Sequence, residues 1–187
     1  MHTARRDRMM NLHKNSGKFE AGGVALDFQK ETIVMGILNI TPDSFSDGGK
    51  FNKIETAVAR AKQMVADGAK IIDIGGESTR PGYTRISDDE EIARVVPVIQ
   101  AIRAEVNTVI SIDTYKSAVA KAAVLAGAHV INDIWGAKRD PEIAKVAADH
   151  GVPIILMHNR DNEEYTDFWS EAKQDLEESI QITKAAG

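Results

Sequence analysis

Ile33-Val34-Met35-Gly36-Ile37-Leu38-Asn39-Ile40-Thr41-Pro42-Asp43-Ser44-Phe45-Ser46-Asp47-Gly48-Gly49 is the stretch on which the reading of this chain turns. It begins as a short, partly β-branched apolar run, which reads as a buried strand over residues 32–38. Polarity then inverts at Asn39. Pro42 fixes its own φ and pushes Thr41 out of the helical region, so the strand cannot roll straight into a helix. The chain continues as a polar loop with carboxylates, hydroxyls and the aromatic Phe45, released at its far end by Gly48-Gly49. An amide at a strand's end, followed by a loop too long for a plain connection, suits a site better than a turn.

Outward from that loop the chain alternates strand and helix. Ile54, Ala57, Val58, Ala61, Met64 and Val65 form one helical stripe over residues 52–67, with Asn52 as the expected cap and Gly68 as the stop. A second strand is expected at 70–74, followed by a second long loop at 75–86. Ser87-Asp88-Asp89-Glu90 has the form of a capping box opening the next helix, in which Pro97 is an expected kink. Strands at 108–112, 129–131 and 152–157 alternate with helices at 115–126, from the Asp140-Pro141 start to Gly151, and from about residue 170.

Alternation of this kind implies a parallel sheet with right-handed crossovers, either doubly wound or a TIM (β/α)8 barrel. Five units complete the first and leave the second three short. The residues at the strand ends favour the barrel. Asn39, Asp73 with Gly75-Gly76-Glu77, Asp113-Thr114, Asn132-Asp133 and His158-Asn159-Arg160 put polar groups at the C-terminal end of every strand. In a barrel those ends converge on one mouth, whereas in an open sheet only those near the switch point share a site.

Composition bounds the function. The 187 residues are 43% hydrophobic and 27% charged, ordinary for one globular domain or part of a larger one. A net charge of −5 argues against a nucleic-acid surface. There is no cysteine, which excludes disulfides and thiolate metal sites and suits a reducing cytoplasm. No window reaches the ~18 apolar residues of a membrane span. Residues 1–22 are expected to be a loosely ordered tail and residues 23–187 the folded part.

At the mouth, Asp113 and Asn132 offer acceptors and a donor on neighbouring strands, a pair able to read a planar heterocycle. Capping the following helices is their other ordinary use, although Thr114 could cap and leave Asp113 free to face inward. Residues 76–82 bring hydroxyls and the guanidinium of Arg80 beside Pro81, a set that suits a phosphate or a solvated loop. Asn39 with Asp47 could hold Mg2+ against a diphosphate. Met157 suits a pocket wall or core, and His158 a structural role. Neither a dinucleotide fingerprint nor a Walker sequence comes after the first strand.

These residues carry a resemblance. Residues 35–49 are similar to the first signature of the dihydropteroate synthase family, and Ile72-Asp73-Ile74-Gly75-Gly76-Glu77-Ser78-Thr79-Arg80-Pro81-Gly82 to its second. Ser111-Ile112-Asp113-Thr114, Ile131-Asn132-Asp133 and Leu156-Met157-His158 match further family segments in order. The resemblance implies a TIM barrel, here its first five or so units, that joins 4-aminobenzoate to 6-hydroxymethyl-7,8-dihydropterin diphosphate in folate biosynthesis. It implies that Asn39 is a Mg2+ ligand and that Thr79 contacts the pterin diphosphate. Asp113 and Asn132 would read the pterin, with Met157 beside it, while Phe45, Asp47, Arg80 and Pro81 would lie on loops closing over the aminobenzoate. The parent enzyme is expected to be a cytoplasmic homodimer, with neither nucleic acid nor membrane as partner.

The family's Asp-Pro-Gly, Ser-Arg-Lys and terminal Arg-x-His segments do not occur, so the expectation is an N-terminal portion without synthase activity of its own. Two rivals are a pterin-binding methyltransferase domain using methyltetrahydrofolate and a non-catalytic half-barrel binding protein. The first has no diphosphate to bind, so the two signature loops count against it.

Overall fold

The computed structural model describes residues 17–21, 23–40, 50–78 and 85–187. A hairpin opens it, β1 (Lys18–Ala21) paired antiparallel with β2 (Val24–Asp27). Next along the chain are β3 (Val34–Asn39), α1 (Lys50–Ala66), β4 (Ala69–Gly75), α2 (Asp88–Glu105) and β5 (Val109–Asp113). Then come α3 (Ser117–Ala126), β6 (Val130–Asp133), α4 (Glu142–His150), β7 (Ile154–Leu156) and α5 (Phe168–Ala186).

The five later strands form one parallel sheet in the order β3-β4-β5-β6-β7. A doubly wound sheet reverses its order at a switch point. This one never reverses, and successive helices pack against one another from α1 to α5. That is the order of a (β/α) barrel, five consecutive units of it.

Strand side chains alternate between faces, and here the two faces differ in chemistry. Ile72, Ile74, Ile110, Ile112 and Ile131 face the helices and join Ala57, Ala61, Val95, Ile99, Val119 and Ile143 in the main core. The opposite face packs its apolar side chains only at its N-terminal end and leaves Ile37, Ile155 and Met157 exposed nearer its mouth. At the N-terminal end Ile71, Val109 and Val130 pack with Leu26, Phe19 and Val24 of the hairpin. The hairpin thus closes the floor of the sheet and leaves its C-terminal end open.

The structure corrects several local expectations. Residues 18–21, read as tail, form β1. The signal was available in Phe19-Glu20-Ala21 and Val24-Ala25-Leu26 alternating about Gly22-Gly23, a hairpin pattern, and Gly23 has φ +79°. Asn52 does not cap α1, which already begins at Lys50. Ser87 does cap α2, accepting the Glu90 N–H at 3.2 Å, but Glu90 pairs with Arg94 instead of completing the box. Pro97 lies inside α2, where the sequence places it. Asp140 caps a neighbour rather than its own helix, since its carboxylate accepts the N–H of Ser117 at the start of α3. The last helix begins at Phe168, and Asp167 is its cap.

Candidate functional site

Register sets the site. One row crosses all five parallel strands on the face away from the helices: Asn39, Gly75, Asp113, Asn132 and Ile155, each paired with the next. Three of the sequence-derived site residues, Asn39, Asp113 and Asn132, therefore stand side by side at the strand ends. The glycine between the first two makes room, because a Cβ at Gly75 would lie 3.4 Å from both Asn39 Oδ1 and Asp113 Oδ2. Met157, two residues beyond Ile155, shares the open face and is 43% exposed. Phe45, Asp47, Thr79, Arg80 and Pro81 lie outside the described residues.

Thr114, not Asp113, supports the turn into α3, its Oγ1 accepting the N–H of Lys116 at 3.2 Å. The Asp113 carboxyl makes no hydrogen bond to a described residue. Burial first, then the negative charges of Asp73, Glu91 and Asp133, push its pKa up to about 7. Near neutrality it is thus poised between acceptor-only and donor forms, and a ligand with paired N–H donors would favour the ionised form.

One row deeper lie two groups that the spacing of motifs did not single out as site residues, Asp73 on β4 and Ser111 on β5, paired in register. Asp73 is 4% exposed and Ser111 fully buried. Asp73 Oδ2 accepts the Nδ2–H of Asn132 at 2.9 Å. Its Oδ1 and the Ser111 hydroxyl, both buried in this row, stand outside strict hydrogen-bond geometry, yet Ser111 is near enough to favour the ionised carboxylate. Burial raises the Asp73 carboxyl, and nearby Ser111 and Asn132 only partly offset it. Strand alternation could have found both residues, since Asp73 and Ser111 interrupt otherwise apolar strands on the face that carries Asp113.

A second acidic cluster lies beside the first. Lys116 Nζ donates to Glu77 Oε2 at 2.8 Å, Glu91 Oε2 at 2.7 Å and the Ile86 carbonyl at 2.9 Å. Glu77 also accepts the N–H of Ile86 and the hydroxyl of Tyr115. Burial pushes Glu77 up, but these donors win and hold it below the usual carboxylate range. Burial pulls Lys116 down, but Glu77 and Glu91 outweigh it and hold the ammonium above the ordinary lysine value. Lys116 is shared by both carboxylates, and although burial still leaves Glu91 above the usual carboxylate range, each has a cation in hydrogen-bond contact, which marks a structural clamp.

Two further strand-end polar groups are also structural. Asp133 accepts the N–H groups of Trp135 and Ala137 and shapes the turn after β6. His158 lies between the Tyr165 hydroxyl at 2.9 Å and Asp175 at 3.2 Å, packed among the protein's own groups. Among the described residues no group of three His, Cys, Asp or Glu could hold a metal ion. No described helix is long and apolar enough to cross a membrane.

A sheet in barrel order, with hydrogen-bonding side chains gathered at the C-terminal strand ends over an apolar floor, defines an α/β-barrel protein built to bind a polar ligand. Residues 35–187 match the family described as pterin binding enzyme, and the chain belongs to that family. It is 58% identical over 163 residues to the dihydropteroate synthase of Bacillus subtilis, covering 87% of this chain and 57% of that protein. It is 56% identical over 166 residues to that of Clostridium beijerinckii, covering 89% and 62%.

Among solved structures, a Clostridium difficile dihydropteroate synthase in the presence of pteroic acid aligns with TM-score 0.82 at 44% identity, covering 90% of this chain and 62% of that one. The Xanthomonas albilineans enzyme with 4-aminobenzoic acid gives 0.84 at 42%, covering 92% and 63%. The chain thus spans about three fifths of the length of these relatives.

Proposed function

We propose that this chain supplies the pterin-binding half of a dihydropteroate synthase, a transferase of folate biosynthesis. The observation that carries the reading is the single register row Asn39–Gly75–Asp113–Asn132 at the mouth of a sheet in barrel order. The ionised Asp113 accepts from the amino-substituted edge of the ring, Asn132 bonds beside it, and Met157 lies against the ring's face. A flat ring so held presents its exocyclic methylene to the open side. There the amine of 4-aminobenzoate forms the new C–N bond. The C–O bond to diphosphate breaks, diphosphate leaves with the electron pair, and the amine proton passes to solvent. Such a step needs positioning and charge neutralisation more than a nucleophilic side chain.

Magnesium fits the residues present in one way. Asn39 is exposed and offers a single hard oxygen at the rim, which suits an ion that takes its other oxygens from water and substrate. When bound, Mg2+ would neutralise the departing diphosphate. Asp47, Thr79, Arg80, Phe45 and Pro81 complete the proposal as diphosphate and aminobenzoate contacts, on the strength of family resemblance alone. A homodimeric parent rests on the same resemblance. A cytoplasmic setting suits the lack of cysteine.

The test is calorimetric titration of the chain with 6-hydroxymethyl-7,8-dihydropterin diphosphate, with and without Mg2+. Binding strengthened by Mg2+ is expected. Metal-independent binding of methyltetrahydrofolate would favour the methyltransferase reading, and no binding of either would favour the half-barrel scaffold.

A further inference from the structure

We propose that Asp73 is a positioning residue for heterocycle recognition: its carboxylate fixes which way round the Asn132 amide faces, and so decides which ring edges the site accepts. The proposal rests on the pterin reading above and names its specificity device.

An asparagine amide is nearly symmetric in shape but opposite in chemistry at its two ends. Left free, Asn132 could offer a ligand either its carbonyl oxygen or its N–H2 group. An ionised carboxylate accepts only, so it permits one orientation. Asp73 Oδ2 lies 2.9 Å from Nδ2 of Asn132. Asp73 pairs with Ser111 in the row beneath, whereas Asn132 pairs with Asp113 in the row above. The Asn132 nitrogen is thereby drawn down toward the floor, and its oxygen is left to the upper row beside the Asp113 carboxylate. Two neighbouring acceptors then face the ligand, a pattern that fits a ring edge bearing an amino group and repels one bearing a carbonyl there.

Burial makes the arrangement stiff. Asp73 is 4% exposed, so water cannot readily replace it as the partner of Asn132. Ser111, buried beside it on the neighbouring strand, favours the ionised form of the Asp73 carboxyl, and so supports its role as an acceptor. The main core lies on the other face of the sheet and uses neither group. The polarity of this pair therefore serves the open face.

The probes are 6-hydroxymethylpterin, with an amino group at ring position two, and the matching 2,4-dioxopteridine, with oxygen there. The wild-type chain should prefer the amino ring. In Asp73→Asn, whose amide can donate or accept, Asn132 is free to turn. The preference should fall on the order of tenfold, the worth of about one hydrogen bond to a charged group. In Asp73→Asn/Asn132→Asp the pair is rebuilt with its polarity exchanged. The residue at position 132 again turns an acceptor to the ligand, so the preference should return. Nitrogen-15 spectra of the free chain give a second reading, since the Asn132 side-chain amide should shift and exchange faster in Asp73→Asn.

A merely structural Asp73 would weaken both rings together at constant ratio, and the double variant would not restore the preference. That result, with binding retained, overturns the proposal and leaves the pterin reading standing. A wild-type chain that binds neither ring overturns the pterin reading and this proposal with it.

Discussion

Two clusters of buried and half-buried carboxylates gather about the C-terminal ends of β4 and β5, and they are built in opposite ways. Glu77 and Glu91 share Lys116, with side chains 5%, 2% and 10% exposed, and every donor of the ammonium is used. Asp73 and Asp113 have Asn132 and Ser111 for neighbours and no cation among the described residues. The first cluster ties Glu77 to Ile86 and so joins the two feet of the segment between them. The second holds its charge in reserve. A buried charge that is answered within the protein is structure, whereas one left unanswered at a mouth is an invitation to a ligand.

The largest effect should come from breaking the answered cluster. Lys116→Met leaves two glutamates buried without their cation and should lower stability by about 3–5 kcal/mol, the range for removing one partner of a buried pair. Chemical denaturation measures it, and a loss under about 1 kcal/mol would erase the distinction between the clusters. The next effect falls on binding. Asp113→Asn replaces an acceptor with a donor facing the ligand's N–H and should weaken pterin diphosphate by about 1.5–3 kcal/mol. The same substitution should not destabilise the free chain, since Asp113 has no described partner to lose.

The pH response is set by the sign of the Asp113 shift. Its carboxyl titrates at 3.8 when unperturbed and about 7 in the fold. Between those values the folded state holds the extra proton, so this group's contribution makes stability fall as pH rises from about 4 to 7. Pterin affinity should run the other way, rising as pH passes through 7 and Asp113 becomes an acceptor. Asp113→Asn should flatten both slopes.

The smallest effect lies outside both clusters and has the opposite sign. His129 Nδ1 accepts the N–H of Ile110 at 3.0 Å, and burial, then Arg103, lowers its pKa below 6.5. Its contribution is intact above 6.5 and is lost as pH falls through the folded value. His129→Phe should remove that acid-side loss without touching the slope that belongs to Asp113. Urea denaturation across pH 5–8 reads both.

What could be read from the sequence, and what could not, divides along the same physical line. Asn39, Asp113 and Asn132 were legible because strand ends announce themselves by a change from apolar to polar, and barrel order then places such ends in one row. The cap at Ser87 was legible because its partner is three residues away. The Glu77–Lys116 clamp was not, because its partners lie 39 residues apart and no local period links them. Asp140 failed as a cap of its own helix for the same reason, its carboxylate being taken by Ser117 of the preceding one. Asp73 and Ser111 were visible as letters, but their importance depends on a row beneath the surface that only register reveals. The hairpin of β1 and β2 is hard to read because a short glycine-centred alternation near the start of the sequence resembles a tail.

The central claim is that Asp113 is a half-buried, unanswered carboxylate waiting for the donors of a pterin ring. Carbon-13 titration of its side-chain carboxyl tests this directly, first in the free chain and then with saturating 6-hydroxymethylpterin. The expected result is a midpoint of about 7 in the free chain, moved well below that when the ring is bound. A midpoint in the ordinary carboxylate range, unmoved by the pterin, would contradict the account.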